Sequence, residues 1–413
     1  MDELTVQLAQ LMAQRNVLSL NFCCYKDNIV NNTQKLLTIA RLIQFENNNQ
    51  CILSAQNVEQ LNTHINAEHH YSGDELALVI ALKLMLDPSL QKQLLPRYLN
   101  SAQPQLQSLV LAVAKLLGDK LIITLDFTQA TQSFLTAKPN ECLHQQAFIQ
   151  QVLFHLYSRK TLNDYLNEMI PNYKNRNDRH NNNLSVLNWL TIDVLSNCLS
   201  TELRVELGTE LRANNQFDVQ AITQQFIQND YMHSTLFDVY ICSLNEHEIT
   251  QLVNQLSADE AFIPYITHAM GISGYVKFIP FLAQYLQLED FVLSAYQALR
   301  LLLGNKLDAL IPLAVQFNSD IDERKIDLRY YGAKILYAWQ QGMSFLGLTF
   351  DHDHDHDYDN NDKRILNGTV LTAQSVEEIL LSGSQWHRRV AMLYKLQWCG
   401  KPFIQHPNAL DIG

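Results

Sequence analysis

Apolar residues recur at the spacing of an α-helix along almost the whole chain, and this pattern limits the possible folds more than any other feature. One such face consists of Leu4, Leu8, Leu11 and Met12. Similar i, i+3, i+4 patterns run through residues 36–43 and 76–84. Only 13 glycines and 10 prolines occur among 413 residues, which disfavours a turn-rich β-sandwich or barrel. The sequence therefore predicts an all-α protein.

A repeated helix–turn–helix unit is clearest between residues 263 and 304. Gly271 and Gly274 are placed in a turn, and a helix over 276–286 follows with Pro280 within it. A second helix begins near Val292 and ends at Gly304. Fainter copies lie at 104–118, 329–338 and 386–398. Because one helix hairpin cannot bury its apolar face alone, such units need neighbours on which to stack.

Small residues in the second helix of this unit favour close helix packing. Ala295 and Ala298 would let the paired helix approach closely. The periodicity predicts paired helices, and repeats of about 40 residues with these features resemble HEAT-type α-solenoids. We therefore expect an α-solenoid of stacked antiparallel helix pairs.

An Asn-rich stretch from Pro171 to Asn183 has no apolar period, and Asn and Asp favour turns by bonding to their own backbone. It predicts a loop or linker between two helical regions. We expect an N-terminal helical region over 1–170, the linker over 171–183, and HEAT-like repeats over 184–413 with an acidic loop at 351–362.

The net charge of −12 argues against nucleic acid and anionic membrane as partners, because both call for a basic face. An acidic chain suits a basic partner or simple solubility. The most apolar stretch, Leu109 to Leu125, is interrupted by Lys115, Asp119 and Lys120, so it does not predict a membrane span.

The compartment is predicted from the cysteines and from the first residues. Seven cysteines without a CxxC pair indicate reduced, mostly buried thiols, as in a cytosolic protein. The start of the chain lacks the basic and apolar regions of a signal peptide. We therefore expect a cytoplasmic protein.

Signatures of common enzyme classes are missing from the sequence. It contains no GxSxG, HExxH, Walker loop or strand-linked GxGxxG, and His247-Glu248 lacks the second zinc histidine. We therefore expect a protein that is not an enzyme, with no catalytic residues and no cofactor.

The most unusual segment alternates Asp and His. Its candidate metal ligands are Asp351, His352, Asp353, His354, Asp355, His356 and Asp357. Imidazole and carboxylate suit Zn²⁺, Ni²⁺ or Mn²⁺, and the Asp spacing echoes a calcium loop. His356 stands where that loop needs glycine, and Asp362 replaces its bidentate Glu. The competing interpretation is a solvated acidic loop between helices.

Two aromatic and basic clusters are candidate partner-binding residues. The first is Tyr330 with Tyr331, and the second is Trp386 with Arg388 and Arg389. Exposed Tyr, Trp and Arg dominate binding hot spots. The competing interpretation places the aromatic rings in the core and lets the arginines extend to solvent.

The C-terminal third contains a series of motifs in a fixed order: Tyr275–Pro280, Ala295–Leu299, the acidic insertion 351–362, Arg364–Thr372, Gly383–Ala391 and Gly400–Phe403. With these motifs, residues 263–413 resemble a bacterial HEAT-repeat family of uncharacterised biochemical role, whose genes often lie near type VI secretion genes. This resemblance implies an accessory or adaptor role in a bacterial cytoplasm, and it transfers no catalytic residue.

Three functional hypotheses follow. The first is a protein–protein interaction scaffold of type VI secretion, because stacked helix pairs form a long binding surface. Its partner would be a secretion component, an effector or an effector-loading protein. The second is an immunity protein whose acidic surface neutralises a basic toxin. The third is a helical-repeat metalloenzyme that uses the Asp/His segment.

Overall fold

The computed structural model describes ten stretches of the chain: residues 3–20, 24–45, 51–67, 73–101, 103–122, 219–228, 232, 235–342, 364–399 and 409–410. These residues are predominantly helical, which confirms the all-α prediction. They divide into two compact units. Unit 1 comprises the described residues within 3–122 together with 382–392, 398–399 and 409–410, and unit 2 comprises those within 219–381 together with 393–397. The predicted linker at 171–183 lies outside the described residues.

The described residues of unit 1 between 3 and 122 form six helices: α1 (Glu3–Leu20), α2 (Lys26–Phe45), α3 (Val58–Ala67), α4 (Gly73–Leu86), α5 (Gln91–Leu99) and α6 (Pro104–Leu117). Helix α1 packs on α2, and both α2 and α6 pack on α4. Pro104 begins α6, where no backbone donor is needed, and Gly118 ends it with a φ of +53°. Local sequence thus sets both ends of α6.

A buried arginine ties the end of the chain into unit 1. Arg15 is only 3% exposed. It donates hydrogen bonds to the carbonyl of Ile29 (2.9 Å), the hydroxyl of Thr33 (2.7 Å) and the carbonyl of Ala409 (2.8 Å). The next residue, Leu410, is fully buried, and its N–H donates to the carbonyl of Leu116 at 2.7 Å. This anchoring brings residues far apart in sequence into one core.

Unit 2 begins with a run of helices that pack on near neighbours in the chain. They are α7 (Val219–Gln228), α8 (Thr235–Ser243), α9 (Glu246–Leu256), α10 (Ile263–Ser273), α11 (Ile279–Tyr285), α12 (Val292–Leu303), α13 (Leu313–Gln316) and α14 (Ile321–Gln340). Helix α10 packs on α8, α9 and α12, while α14 packs on α11, α12 and α13. The predicted helix–turn–helix unit at 263–304 is therefore present.

The structure corrects two details of that unit. Gly271 lies inside α10, not in the turn, and Gly274 alone ends the helix with a left-handed φ of +78°. The predicted helix over 276–286 is also shorter, because a 3₁₀ turn over Val276–Phe278 precedes α11. Pro280 lies within α11 as predicted, and because it is the second residue of the helix its missing N–H is not needed there.

Two short strands depart from the all-α expectation. Strands β1 (Ile365–Leu366) and β2 (Thr369–Val370) pair antiparallel. Asn367 and Gly368 join them with φ values of +53° and +73°, the geometry of a tight hairpin turn. The chain continues into α15 (Ala373–Ser382) and α16 (Gln385–Cys399).

The hairpin and the residues beside it, 364–371, are called the clip below. The clip satisfies carbonyl groups at the C-terminal ends of two helices. The N–H groups of Asn367 and Gly368 donate to Leu301 (2.9 Å) and Leu302 (2.7 Å) in α12. The N–H of Ile365 donates to the carbonyl of Gly274, directly after α10, at 2.8 Å. The last carbonyl groups of a helix have no partner within the helix, so N–H groups of the clip bond to them in place of water.

Arg364 extends the clip to the end of α8. Its guanidinium donates to the carbonyls of Cys242 (2.8 Å) and Leu244 (2.6 Å) and to the hydroxyl of Tyr275 (2.6 Å). The guanidinium carbon also lies 4.5 Å from the centre of the Tyr275 ring. One short segment of the chain thus bonds to the ends of three helices of unit 2.

Candidate functional site

The Asp/His segment, residues 351–357, lies outside the described residues, so its predicted metal site stays a prediction. Within the part of the chain that the structure describes, no three His, Cys, Asp or Glu side chains lie close enough together to hold a metal ion.

The two tyrosines predicted to bind a partner differ in their surroundings. Tyr330 on α14 is 80% exposed. Tyr331 is half-buried, and its ring meets that of Tyr330 edge-on with centroids 5.7 Å apart. The Nζ of Lys334 lies 5.5 Å from the Tyr331 ring centre. Tyr331 therefore packs against Tyr330 on the side towards the protein, and the ring of Tyr330 is exposed to solvent.

The second predicted cluster, in the first turn and a half of α16, is mostly withdrawn from solvent. Arg388 is buried and donates to the Oε1 of Gln385 at 2.8 Å. Trp386 is half-buried, and Arg389 is exposed. Of these three side chains, only Arg389 lies where a partner could reach it without rearrangement.

Tyr330 belongs to a stripe of apolar and aromatic side chains on the outer side of α14. The stripe consists of Ile326, Tyr330, Ala333 and Tyr337, and it is called the α14 face below. Ile326 is 68% exposed, Tyr337 is 64% exposed, and Ala333 is also exposed. The spacing of four, three and four residues places all four side chains on one side of the helix.

The opposite side of α14 is buried and holds the helix in place. It consists of Leu328, Gly332, Ile335 and Ala338. A Cβ built on Gly332 would lie 2.6 Å from the carbonyl oxygen of Ala283 in α11, so only glycine permits this approach. The Nε of Arg329 donates to the carbonyl of Gln287 at 3.0 Å. The α14 face is therefore carried by a firmly packed helix.

Polar residues surround the α14 face. Asp320 caps the start of α14, because its side chain accepts the N–H groups of Asp322 (3.0 Å) and Glu323 (3.1 Å). Lys334 is exposed on one flank, with its Nζ 2.9 Å from the carbonyl oxygen of Leu310. Gln340 and Gln341 are exposed at the other end. An apolar centre with a polar rim is the usual anatomy of a protein interface.

Ser384 and His387, two residue types that occur together in catalytic sites, form a buried pair. The Oγ of Ser384 lies 2.6 Å from the Nδ1 of His387, but these side chains are only 4% and 3% exposed. Because Ser384 directly precedes α16 and His387 is its third residue, the contact joins two buried side chains at the start of this helix. Burial raises the pKa of the Cys242 thiol, which keeps it protonated and unreactive.

A contact between a histidine and a carboxylate joins α8 and α10 in unit 2. The Nε2 of His268 lies 2.7 Å from a carboxylate oxygen of Asp238, which is almost fully buried. His268 is 34% exposed. The pair therefore links α8 to α10.

A groove of about 840 Å³ lies in unit 1 and is lined by side chains of α1 and α2. Its polar lining residues are Gln7, Gln10 and Gln14 from α1 and Asn31, Gln34, Lys35 and Thr38 from α2, and Leu11 and Ile39 add apolar surface. This mixture of amide, hydroxyl, ammonium and apolar groups does not select one class of ligand.

Of the four members of the α14 face, only Tyr330 was among the partner-binding candidates of the sequence analysis. Residues 326, 330, 333 and 337 form one helical stripe, and residues 328, 332, 335 and 338 form another of similar apolar character. The spacing signal was therefore available, but it could not show which stripe faces the core.

Comparisons with known proteins find no matching protein-family model, no similar curated protein and no similar solved structure. No helix among the described residues combines the length and the apolar character that a membrane crossing needs.

Proposed function

We propose that this protein is a non-enzymatic scaffold for protein–protein interaction, and that it binds through the α14 face. The observation that carries the proposal is the exposure of Tyr330, Ile326 and Tyr337 on a single rigid helix. A stack of helices normally ends in a polar outer face, because an apolar one promotes association. An aromatic outer face therefore supports a binding role.

The composition of the face supports the same role. Tyrosine supplies a large apolar ring and a hydroxyl with little loss of side-chain entropy, and it is enriched among interface hot spots. Tyr330 is also held from below by Tyr331, so little ordering is needed when a partner covers it.

We further propose that unit 2 is a HEAT-like α-solenoid. Helices that are near neighbours in the chain pack on one another from α9 to α12. Three of these helices also begin in the same way, with a 3₁₀ turn at 260–262, 276–278 or 289–291. Such repetition of a local unit supports a repeat architecture.

The setting we propose is type VI secretion in a bacterial cytoplasm, where the chain would act as an accessory or adaptor protein. The resemblance of residues 263–413 to the HEAT-repeat family supports this proposal. The partner would be a secretion component, an effector or an effector-loading protein.

A second candidate function, immunity against a toxin, is favoured by the net charge of −12, because an acidic protein attracts a basic toxin. Co-expression with each neighbouring toxin gene tests it. Rescue of growth by the parent chain supports immunity, and failure against every neighbouring toxin rejects it.

The main test is a pull-down of the tagged protein from its own host, with partners identified by mass spectrometry. Three versions are compared: the parent, Tyr330→Glu, and the control Asn254→Glu, which changes an exposed residue on α9. We expect one protein to be recovered in near-equal amount with the parent and the control, and to be lost with Tyr330→Glu. Equal recovery with all three versions would reject the α14 face as the binding surface.

A further inference from the structure

We infer that the α14 face docks on the α14 face of a second copy of this chain, with the two helices antiparallel across a two-fold axis. The inference rests on one part of the proposed function, that the α14 face is a binding surface, and it names a second copy of the chain as the occupant of that surface. It is carried by the order of side chains along the face and by the charges beside it.

The α14 face is complementary in shape to the α14 face of a second copy that runs antiparallel to it. A two-fold axis that passes midway between Tyr330 and Ala333 leaves Ile326 and Tyr337 at equal distances from it, about 8 Å along the helix. Tyr330 of one copy then lies over Ala333 of the other, so a large side chain meets a small one. Ile326 of each copy meets Tyr337 of the other. Such a self-complementary patch is what a symmetric dimer requires.

The charges beside the face fit the same arrangement. Lys334 and Asp327 lie on the same flank of α14 at helical spacing. In the antiparallel pair, Lys334 of each copy comes within about 3 Å, measured along the helix axis, of the level of Asp327 in the other. Opposite charges therefore face each other twice, once on each side of the axis. The acidic start of α14, with Asp322, meets the uncharged Gln340.

The size of the face predicts a weak, reversible dimer. Two tyrosines, one isoleucine and one alanine bury about 400–500 Å² per copy at the typical area of an aromatic side chain. The total lies below the roughly 1,200 Å² of a stable interface, so we expect dissociation in the micromolar range. Each copy carries a net charge of −12, and salt that screens this repulsion should strengthen the dimer.

Sedimentation velocity of the full chain tests the inference, over concentrations from about 1 to about 200 µM. The compared chains are the parent, Tyr330→Glu, Ala333→Glu and the control Asn254→Glu, each checked for native helix content by circular dichroism. We expect the parent and the control to dimerise with rising concentration, and more tightly at high salt. Each α14 variant should dissociate at least about ten-fold more readily, as two buried carboxylates would face apolar groups.

A parent chain that stays monomeric over the whole concentration range would overturn the inference. A dimer that Tyr330→Glu and Ala333→Glu leave unchanged would overturn it as well. If the chain is monomeric but the host pull-down recovers another protein that depends on Tyr330, the proposed function stands and this inference fails. If the dimer depends on Tyr330 and no other protein is recovered, this inference stands and the adaptor function fails.

Discussion

Gly271 in α10 and Ala298 in α12 lie so close that a Cβ on the glycine would be 2.9 Å from the Cβ of the alanine and 3.0 Å from its Cα. Real side chains do not approach this closely, so the two helices meet at a distance that only glycine permits. Sequence analysis expected Ala298 to allow a close approach, and the structure shows that Gly271 is its counterpart.

We therefore expect Gly271→Ala to destabilise the protein, although glycine-to-alanine changes within helices normally stabilise by about 1 kcal/mol. Overpacking between the helices should lower the free energy of unfolding by about 1–3 kcal/mol, measured by urea denaturation. Gly73→Ala is the control, because nothing lies within 4 Å of a Cβ at that position on α4. An equal effect of the two changes would show that the contact with Ala298 is not limiting.

Replacing Gly368 in the clip by alanine should destabilise the protein more than the same replacement at Gly342. Its φ is +73°, and a Cβ there would lie 2.6 Å from the carbonyl oxygen of Leu303. Gly342 has a φ of +74° and nothing within 4 Å of its Cβ position. Gly342→Ala should cost about 1 kcal/mol for backbone strain alone, and Gly368→Ala about 2–4 kcal/mol because crowding is added. Thermal unfolding of both variants measures the difference, and equal shifts would contradict the role of the clip at α12.

Arg364→Lys should destabilise unit 2 even though the charge is kept. A single ammonium group cannot reach the carbonyls of Cys242 and Leu244 and the hydroxyl of Tyr275 together, as the guanidinium does. We expect a loss of about 2–4 kcal/mol in the free energy of unfolding. Arg97→Lys is the control, since Arg97 forms an exposed ion pair with Glu59 and exposed pairs contribute little. Similar losses in both variants would argue against the clip as a structural bridge.

The contacts of the clip with the end of α8 predict that the thiol of Cys242 is protected from alkylation. Burial raises the pKa of Cys242, and its side chain is only 1% exposed. We expect Cys242 to resist alkylation by iodoacetamide in the folded protein and to react fully after unfolding, as shown by mass spectrometry of its peptide. In Arg364→Lys, more frequent opening of this region should increase the labelling rate. Rapid labelling of the native parent chain would contradict this prediction.

Lys115 on α6 predicts a pH-dependent stability. Its pKa is lowered from 10.5 to about 8, first by burial and then by the positive charge of Arg389, while Asp74 opposes the change. Below pH 8 Lys115 is charged in both the folded and the unfolded chain, and burial of this charge lowers the stability of the folded chain. Between pH 8 and 10.5 the folded chain loses the proton first, so stability rises with pH in that window.

Lys115→Met should therefore stabilise the protein by about 1–3 kcal/mol at pH 7, and this gain should vanish as the pH approaches 10.5. Urea denaturation at a series of pH values measures the gain. The control, Lys92→Met, changes an exposed lysine of α5 and should give a gain that does not depend on pH. A pH-independent gain for Lys115→Met would show that its charge is not penalised in the folded state.

Helix ends could be predicted where local chemistry decides them. Pro104 and Gly118 mark the ends of α6, and Gly304 follows α12 directly. The hairpin of the clip also had a local signal, because Asn-Gly is the pair that a tight hairpin turn prefers. That signal was missed because the surrounding periodicity was helical, and two-residue strands leave almost no pattern of their own.

Long-range contacts could not be predicted in the same way. Gly271 was assigned to a turn because glycine usually interrupts helices, yet its role is to let α12 approach α10. Arg388 was a candidate for partner binding, but Gln385 bonds to it within unit 1 and it is buried. In both cases the contact with the neighbouring residue, Ala298 or Gln385, decides the role, and residue spacing does not reveal that contact.

The sequence by itself determined that this chain is helical and where many of its helices begin and end, since propensity, caps and apolar period act over a few residues. Tertiary structure decided which of the two stripes on α14 is buried: Gly332 on one stripe lets the backbone of α14 lie close to Ala283, whereas Tyr330 on the other stripe is exposed. It also decided that the clip, distant in sequence, bonds to the ends of three helices. Carbonyl groups at those ends need partners, and only the folded chain brings the partners to them.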